Sequence, residues 1–326
     1  MLRASLRLNN DVPVDRFARI AVLAEELGFD QLWVSHDLFW RSAPVLLTAA
    51  FASTSRIRLG AGVFNPVSLH PSEIAMVAGT LQEASGGRFL LGVGAGADRF
   101  LDWARMAHDP PVSRTRRGLV AVQALLAGLV PPGWEAEGRL RFAAPPPPVY
   151  VGAMGPRMLR MAGELADGVL PLLFPPEHFE TAASQVGEGA RRAGRDGSVL
   201  DVAACVWCSI DTDAARATRT LAEKIAYYGG SFAPSLLAQA GLSPADFRPI
   251  DAAMAAGDLD RACALVTPAM LALGIAGDAG DVAARCLPLL SAGARHLSFG
   301  PPLGPDPERA VRVIGTEVLP LLRARS

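Results

Sequence analysis

Eight times along this 326-residue chain a short β-rich run gives way to an amphipathic helical run. The strands read as Leu2 to Leu8, Gln31 to Val34, Ile57 to Val63, Arg88 to Val93, Val149 to Val151, Gly168 to Leu172, Val202 to Ile210 and Arg295 to Phe299. The first helix illustrates the others. Phe17, Ile20, Ala21, Ala24 and Leu27 recur at helical spacing between Val14 and Leu27, and Gly28 stops the run. Pro71 opens the helix that reaches about Ser85, where its missing N–H costs nothing. Strict β/α alternation implies a parallel sheet with helices packed outside it. Eight such units close into a (β/α)₈ TIM barrel of about 250 residues plus insertions.

The surplus falls after strand four, at 98–147, and after strand seven, at 229–278. No composition shift marks a linker, so residues 1–326 read as one domain. A doubly wound open sheet would place a Gly-rich phosphate loop after the first strand. Here that strand ends in Leu8-Asn9-Asn10-Asp11.

A net charge of −1 argues against a nucleic-acid groove or an anionic membrane surface as the main partner. No apolar run reaches the ~18–20 residues of a membrane span. Four cysteines in so long a chain do not make a secreted disulfide framework, and the N-terminus shows no signal-peptide core, so a cytoplasmic setting is expected. Lys224 is the only lysine; the other 30 basic residues are arginines, which reads as a genomic arginine bias.

In a barrel the chemistry lies at the C-terminal strand ends. Those positions carry Asn9 and Asn10, then Ser35-His36-Asp37, then Gly62, Val63 and Asn65, then Gly94, Gly96 and Asp98. After strand five come Gly152, Ala153, Met154, Gly155 and Arg157. The glycines read as room for the backbone to approach a flat ligand. Gly155-Pro156 opens a helix, and the free N–H groups there suit a phosphate. His36-Asp37 is the close His–carboxylate pair at a strand end, and His36 has the pKa range for proton transfer. His70 reads as a cap or packing residue; His108, His178 and His296 show no partner spacing. Cys205-Val206-Trp207-Cys208 matches Cys-x-x-Cys, but residues three apart on a strand face opposite sides, so neither a disulfide nor a shared metal is expected. No metal site is read elsewhere.

Several longer runs resemble the bacterial-luciferase-like superfamily in order along the chain. They include Leu32-Trp33-Val34-Ser35-His36-Asp37, Arg56-Ile57-Arg58-Leu59-Gly60-Ala61-Gly62-Val63-Phe64-Asn65-Pro66 with His70-Pro71, and Thr80-Leu81-Gln82-Glu83-Ala84-Ser85-Gly86-Gly87-Arg88-Phe89. Val149-Tyr150-Val151-Gly152-Ala153 with Gly155-Pro156, and Phe299-Gly300-Pro301-Pro302-Leu303-Gly304-Pro305, extend the match. Within the superfamily the chain is most similar to the methylenetetrahydromethanopterin reductase-like branch that uses the deazaflavin coenzyme F420.

The resemblance implies a dimeric barrel that transfers hydride between F420 and a small-molecule substrate. It also implies a non-prolyl cis peptide at Gly62-Val63 against the cofactor ring. On this reading Asn9, Ser35, His36, Asp37, Gly62, Val63, Asn65, Gly94 and Gly96 surround the ring. Gly152, Ala153, Met154, Gly155 and Arg157 hold its phosphate, and His36 and Asp98 handle protons. Relatives commonly carry Asp-His where this chain has His36-Asp37, which leaves open which of the two faces the cofactor. Arg7 stands where the reductases carry a strand-one glutamate, and Asp98 lies near where the glucose-6-phosphate dehydrogenases carry theirs. Arg41, Arg99 and Arg157 lie on mouth loops that suit the anionic tail of F420. The alternatives are an FMN-dependent monooxygenase and a non-catalytic flavin-binding paralogue.

Overall fold

The computed structural model describes residues 2–325 apart from His108, Phe174 and Ala233. Strands β1 (Arg3–Leu8), β2 (Gln31–Val34), β3 (Arg58–Phe64), β4 (Phe89–Val93), β5 (Val149–Ala153) and β6 (Gly168–Pro171) pair in parallel, each with the next. The seventh stave comes in two pieces, β7 (Asp201–Val202) on β6 and β8 (Ala204–Val206) on the last barrel strand. A bridge between Leu172, just past β6, and Cys205 of β8 spans the gap. With that stave in place the sheet closes on itself, as the eightfold alternation predicts.

One boundary differs. The expected strand Val202 to Ile210 does not continue through Trp207. Its last part, β9 (Cys208–Ile210), leaves the barrel wall and pairs with β10 (Ile275–Gly277), while β11 (His296–Phe299) closes the barrel against β1. Trp207 is buried in a second apolar cluster with Leu221, Ile225, Leu237 and Phe247, and this packing turns the chain. The Pro-rich loop after β11 fills the space left: Leu303 donates its N–H to Cys208 O at 2.8 Å and accepts from Ile210 N at 2.9 Å.

Helices α1 (Val14–Glu26), α2 (Ala43–Ser53) and α3 (Pro71–Ala84) alternate with the first strands. The surplus after β4 holds the short α4 (Asp98–Trp103), then α5 (Pro111–Leu126), then a loop to β5. Helices α6 (Pro156–Leu165), α7 (Phe179–Arg192) and α8 (Ala214–Tyr228) follow the next staves. Among the described residues the surplus after α8 holds a 3-10 turn at Gly229–Ser231 and four α-helices, α9 (Pro234–Gln239), α10 (Pro244–Ala255), α11 (Leu259–Ala264) and α12 (Pro268–Leu271). They bury their apolar faces on α8 in the Trp207 cluster. Helix α13 (Ala279–Ser291) precedes β11, and α14 (Pro307–Val313) and α15 (Leu319–Arg323) close the chain through a wide π-helical turn at Ile314–Val318. No described helix is long and apolar enough to cross a membrane.

Strand side chains alternate between the helix layer and the barrel interior. Trp33, Leu90, Tyr150, Leu170, Ala203 and Cys205 form the inner apolar layer. Below it lies a polar chain. Ser5 Oγ donates to Ser298 Oγ at 2.8 Å, His296 Nε2 lies 2.8 Å from Ser5 Oγ, and His296 Nδ1 lies 3.1 Å from Asp201. Tyr150 OH donates to Asp201 at 2.7 Å, and Arg3 pairs with it at 2.7 Å. Burial alone would raise the Asp201 carboxyl, but the His296 bond and charge, the Tyr150 hydroxyl and Arg3 hold it well below the usual carboxylate range. His296 therefore has a partner that sequence spacing does not show, 95 residues away. Cys205 faces this interior and Cys208 the outer core; both are free, buried thiols with pKa values raised by burial.

Candidate active site

The C-terminal ends of the strands gather the expected residues around one mouth. Asn10, fully buried at the end of β1, organises the first side. Its Oδ1 accepts from Ser35 Oγ at 2.8 Å and from the Asp37 amide at 3.3 Å. Its Nδ2 donates to the Asp37 and Arg41 carbonyls at 2.9 and 2.6 Å. Ser35 is thereby tied to a backbone-shaping network.

His36 and Asp37 part company, as adjacent strand-end residues should. The His36 ring stands edge-on to Phe64, with centroids 5.2 Å apart, beside the end of β3. Its Nδ1 accepts the Ala43 amide at 3.1 Å, so the neutral ring carries its proton on Nε2. Burial lowers the His36 pKa below its ordinary value. Asp37 lies in the field of Lys224 on α8. Burial raises its carboxyl, while the Ser35 hydroxyl and the charges of Lys224 and Arg99 oppose the rise.

The Gly62-Val63 peptide is cis, and the β3–β4 register shifts between Ala61 and Phe64. The cis peptide stands where the resemblance implies one, and the register shift makes a bulge there. The neighbouring glycines have a reason other than ligand approach. A Cβ on Gly94 would lie 2.8 Å from Val63 Cγ2, and one on Gly152 would lie 2.9 Å from Val63 Cγ1. These two glycines clear the Val63 side chain. Gly96 adopts φ +63°, a conformation glycine takes without cost, and faces Asn65. Asn65 is buried and its amide is engaged at both ends: Nδ2 donates to Ala95 O at 2.6 Å and Oδ1 accepts from Val67 N at 2.9 Å. It holds the β3 and β4 loops together.

Asp98 begins α4 and forms an ion pair with Arg114, whose side chain is only 3% exposed. Arg114 also donates to the carbonyls of Asp109 and Ala95 at 2.8 and 3.1 Å. The Asp98 carboxylate therefore neutralises a buried guanidinium.

On the β5 side, Ala153 is buried at the strand end, and Met154 packs against the Trp207 cluster. Gly155 precedes α6 and no side chain caps that helix. Its Cβ position is open, with nothing within 4 Å. The Arg157 side chain is exposed. Arg41 donates to Asp11 O, and Arg99 donates to Tyr227 O at 2.9 Å. The Arg99 guanidinium lies 4.4–5.3 Å from the rings of Phe100, Trp103, Tyr227 and Tyr228. His70 caps α3 through Nδ1 and stacks on Trp134 at 5.4 Å. His178 lies 3.3 Å from Gln239 O at a helix start, and His108 is outside the described residues.

Two cations complete the mouth. Arg7 points inward from β1 and donates from Nη2 to Val206 O at 2.6 Å and from Nε to Ser298 Oγ at 3.2 Å. Lys224 reaches in from α8, 9% exposed, and donates to Asn9 Oδ1 at 3.2 Å. Its ammonium lies 4.2 Å from the Tyr228 ring centroid and 5.7 Å from that of Trp207. Burial pushes the Lys224 pKa down to about 8, with Asp37 and Asp11 opposing and Arg7 and Arg99 reinforcing. Sequence reading passed over Lys224. Its one signal was to be the sole lysine in a chain that otherwise uses arginine.

A family model described as luciferase-like monooxygenase matches residues 2–296. The chain is 36% identical over 314 residues to the 5,10-methylenetetrahydromethanopterin reductase of Methanolobus tindarius, covering 94% of this chain and 96% of that protein. It is 29% identical over 333 residues to an F420-dependent glucose-6-phosphate dehydrogenase of Nakamurella multipartita, covering 94% and 92%. The structure of the coenzyme F420-dependent tetrahydromethanopterin reductase from Methanopyrus kandleri matches with a TM-score of 0.88 at 30% identity, over 98% of this chain and 99% of that one. The barrel, its bulge at Gly62-Val63 and these likenesses agree: the chain belongs to the luciferase-like monooxygenase family.

Proposed function

We propose that this chain is an F420-dependent oxidoreductase that exchanges a hydride with a small organic substrate at the barrel mouth. The observation that carries the reading is the bulge at Gly62-Val63, cleared by Gly94 and Gly152, beside an uncapped helix start at Gly155. The relatives named for F420 support the deazaflavin over FMN. The mouth fits such a cofactor: Gly94 and Gly152 carry no side chain beside Val63, and the α6 start has no side-chain cap, which suits its phosphate. When bound, the deazaflavin supplies a two-electron hydride donor or acceptor.

The chain's own residues would bind, orient and exclude water. Gly62, Val63, Gly94 and Gly152 would face the ring. Asn9, Ser35 and Asp37 would border it, with Asn65 and Gly96 shaping the loops beneath. The N–H groups between Gly152 and Met158, Pro156 having none, would hold the phosphate, with the Arg157 side chain outside them. His36, with its proton on Nε2, is the proposed proton-handling group, and Asp98 positions the β4 loop through Arg114. A single domain spanning 1–326, acting as a cytoplasmic homodimer, belongs to the same proposal on the strength of the family resemblance.

Titration of the purified chain with F420, its tail-less precursor and FMN, followed by fluorescence, tests the assignment. Saturable F420 binding tighter than FMN supports it. FMN binding tighter than F420 overturns it.

A further inference from the structure

Two side chains at the mouth carry positive charge without a carboxylate in contact. Arg7 and Asn9 lie two apart at the end of β1, so both project to the same side, into the barrel. Asn9 holds Lys224 through Oδ1, which sets the ammonium one step above the guanidinium. The two also share a wall: Arg7 bonds the carbonyl of Val206, and the Lys224 ammonium stands against the ring of Trp207, the next residue. Among the described residues no carboxylate comes within 4.0 Å of either group. Arg7 spends Nε and Nη2 on Ser298 and Val206 and leaves Nη1 uncommitted. Lys224 has three N–H donors and one acceptor, Asn9.

A buried or half-buried cation without a counter-ion is costly, and a second cation nearby raises that cost. Asp37 and Asp11 act on Lys224 from beyond contact distance, so a fold that keeps both cations at the entrance of its reaction chamber gains if a ligand brings a negative charge into contact. We propose that Arg7 and Lys224 form a subsite for a carboxylate of the substrate, which makes the substrate class a small organic acid. The proposal rests on the oxidoreductase reading of the same mouth.

The donor count favours a carboxylate. The uncommitted Arg7 Nη1 and the Lys224 ammonium offer a donor to each of two oxygens. A phosphate would bring a third oxygen and a second charge toward Asp37, which already lies in the field of Lys224. Arg7 also stands where the resemblance places a glutamate. A guanidinium cannot donate a proton there, but it can fix an anion.

Lys224 is the sole lysine, so an amine-selective reagent reports on it and on the N-terminal amine alone. Trace acetylation of the full chain, read by peptide mass spectrometry, is followed with acetate, benzoate, succinate and inorganic phosphate as probes. The expected result is saturable protection of Lys224 by carboxylates, with the N-terminal amine unaffected. Arg7→Gln should raise the half-protecting concentration about tenfold, the loss of one charge-assisted hydrogen bond. Arg7→Lys should fall between the two, which keeps the comparison open if Arg7→Gln folds poorly. No carboxylate protection, equal protection in the Arg7 variants, or protection by phosphate alone would each overturn the proposal. The labelling needs no cofactor. A failure to bind F420 therefore strikes the oxidoreductase reading, while absent Lys224 protection in a chain that binds F420 strikes the subsite.

Discussion

Val63 occupies the space that a side chain on Gly94 would need, its Cγ2 lying 2.8 Å from the Cβ position there. Val63 sits in β3 inside the register shift and Gly94 directly follows the last residue of β4, so the bulge and the missing side chain are one device. Gly94→Ala should push Val63 out of place and cost about 1–3 kcal/mol of stability, as overpacking does. F420 affinity should fall with it. Adding Val63→Ala to the same chain should restore most of the stability and leave the affinity low. Urea denaturation of the single and double variants checks the first part, and fluorescence titration the second. Additive losses in the double variant would refute the pairing.

Gly155→Asp should separate stability from binding. The position is open and its φ of −88° suits any residue. An aspartate there would cap α6 and raise stability by about a few tenths of a kcal/mol. The same carboxylate would occupy the free amides and repel a phosphate. Cofactor affinity should drop roughly tenfold or more. Thermal melts and F420 titration read the two effects, and unchanged affinity would remove the phosphate site.

His36 should impose an acid limb on activity. Its Nδ1 accepts the Ala43 amide, and protonation would replace that acceptor with a second donor. Burial lowers its pKa, so the ring stays neutral until the pH falls below about 6.5, its ordinary value. A pH profile of kcat/KM should therefore be flat through neutrality and fall below that point. His36→Gln should lower kcat, abolish the limb and change F420 affinity less than about threefold. A limb that persists in the variant belongs to another group.

Lys224→Met should make the ligand-free chain more stable at neutral pH. The folded pKa is about 8 and the ordinary value 10.5, so the unfolded chain binds more protons between them. Wild-type stability then rises with pH across that window, and the penalty is fullest below pH 8. The methionine variant should gain up to roughly 3 kcal/mol at pH 7, less whatever the lost Asn9 bond contributes. The gain should shrink as the pH approaches 10.5. Urea titrations at about pH 7 and about pH 10 test the sign, and an equal effect at both would show that desolvation is not the cause.

The barrel was legible because its signals are local. Helical spacing at Phe17, Ile20 and Ala24, the stop at Gly28 and the proline at Pro71 each depend on a few neighbouring residues, and the structure places their helices within a residue or two of the sequence bounds. The mouth residues after β2, β3, β4 and β5 followed from the same alternation. The apolar run from 202 to 210 could not show that Trp207 ends the stave, because the packing that turns it comes from Leu221 and Phe247 in later helices. Gly94 and Gly152 announced an empty space but not its occupant, which is Val63 on another strand. Asp98 looked like a free acid until Arg114, sixteen residues on, was folded beneath it. Lys224 lies 215 residues from Asn9 and inside an ordinary amphipathic helix. Periodicity assigns such a residue a face, and only barrel closure determines what that face meets. The strands, helices and strand ends thus come from short-range pattern. The charge balance of the mouth comes from contacts made when β1, β2 and α8 converge, and no local spacing encodes that.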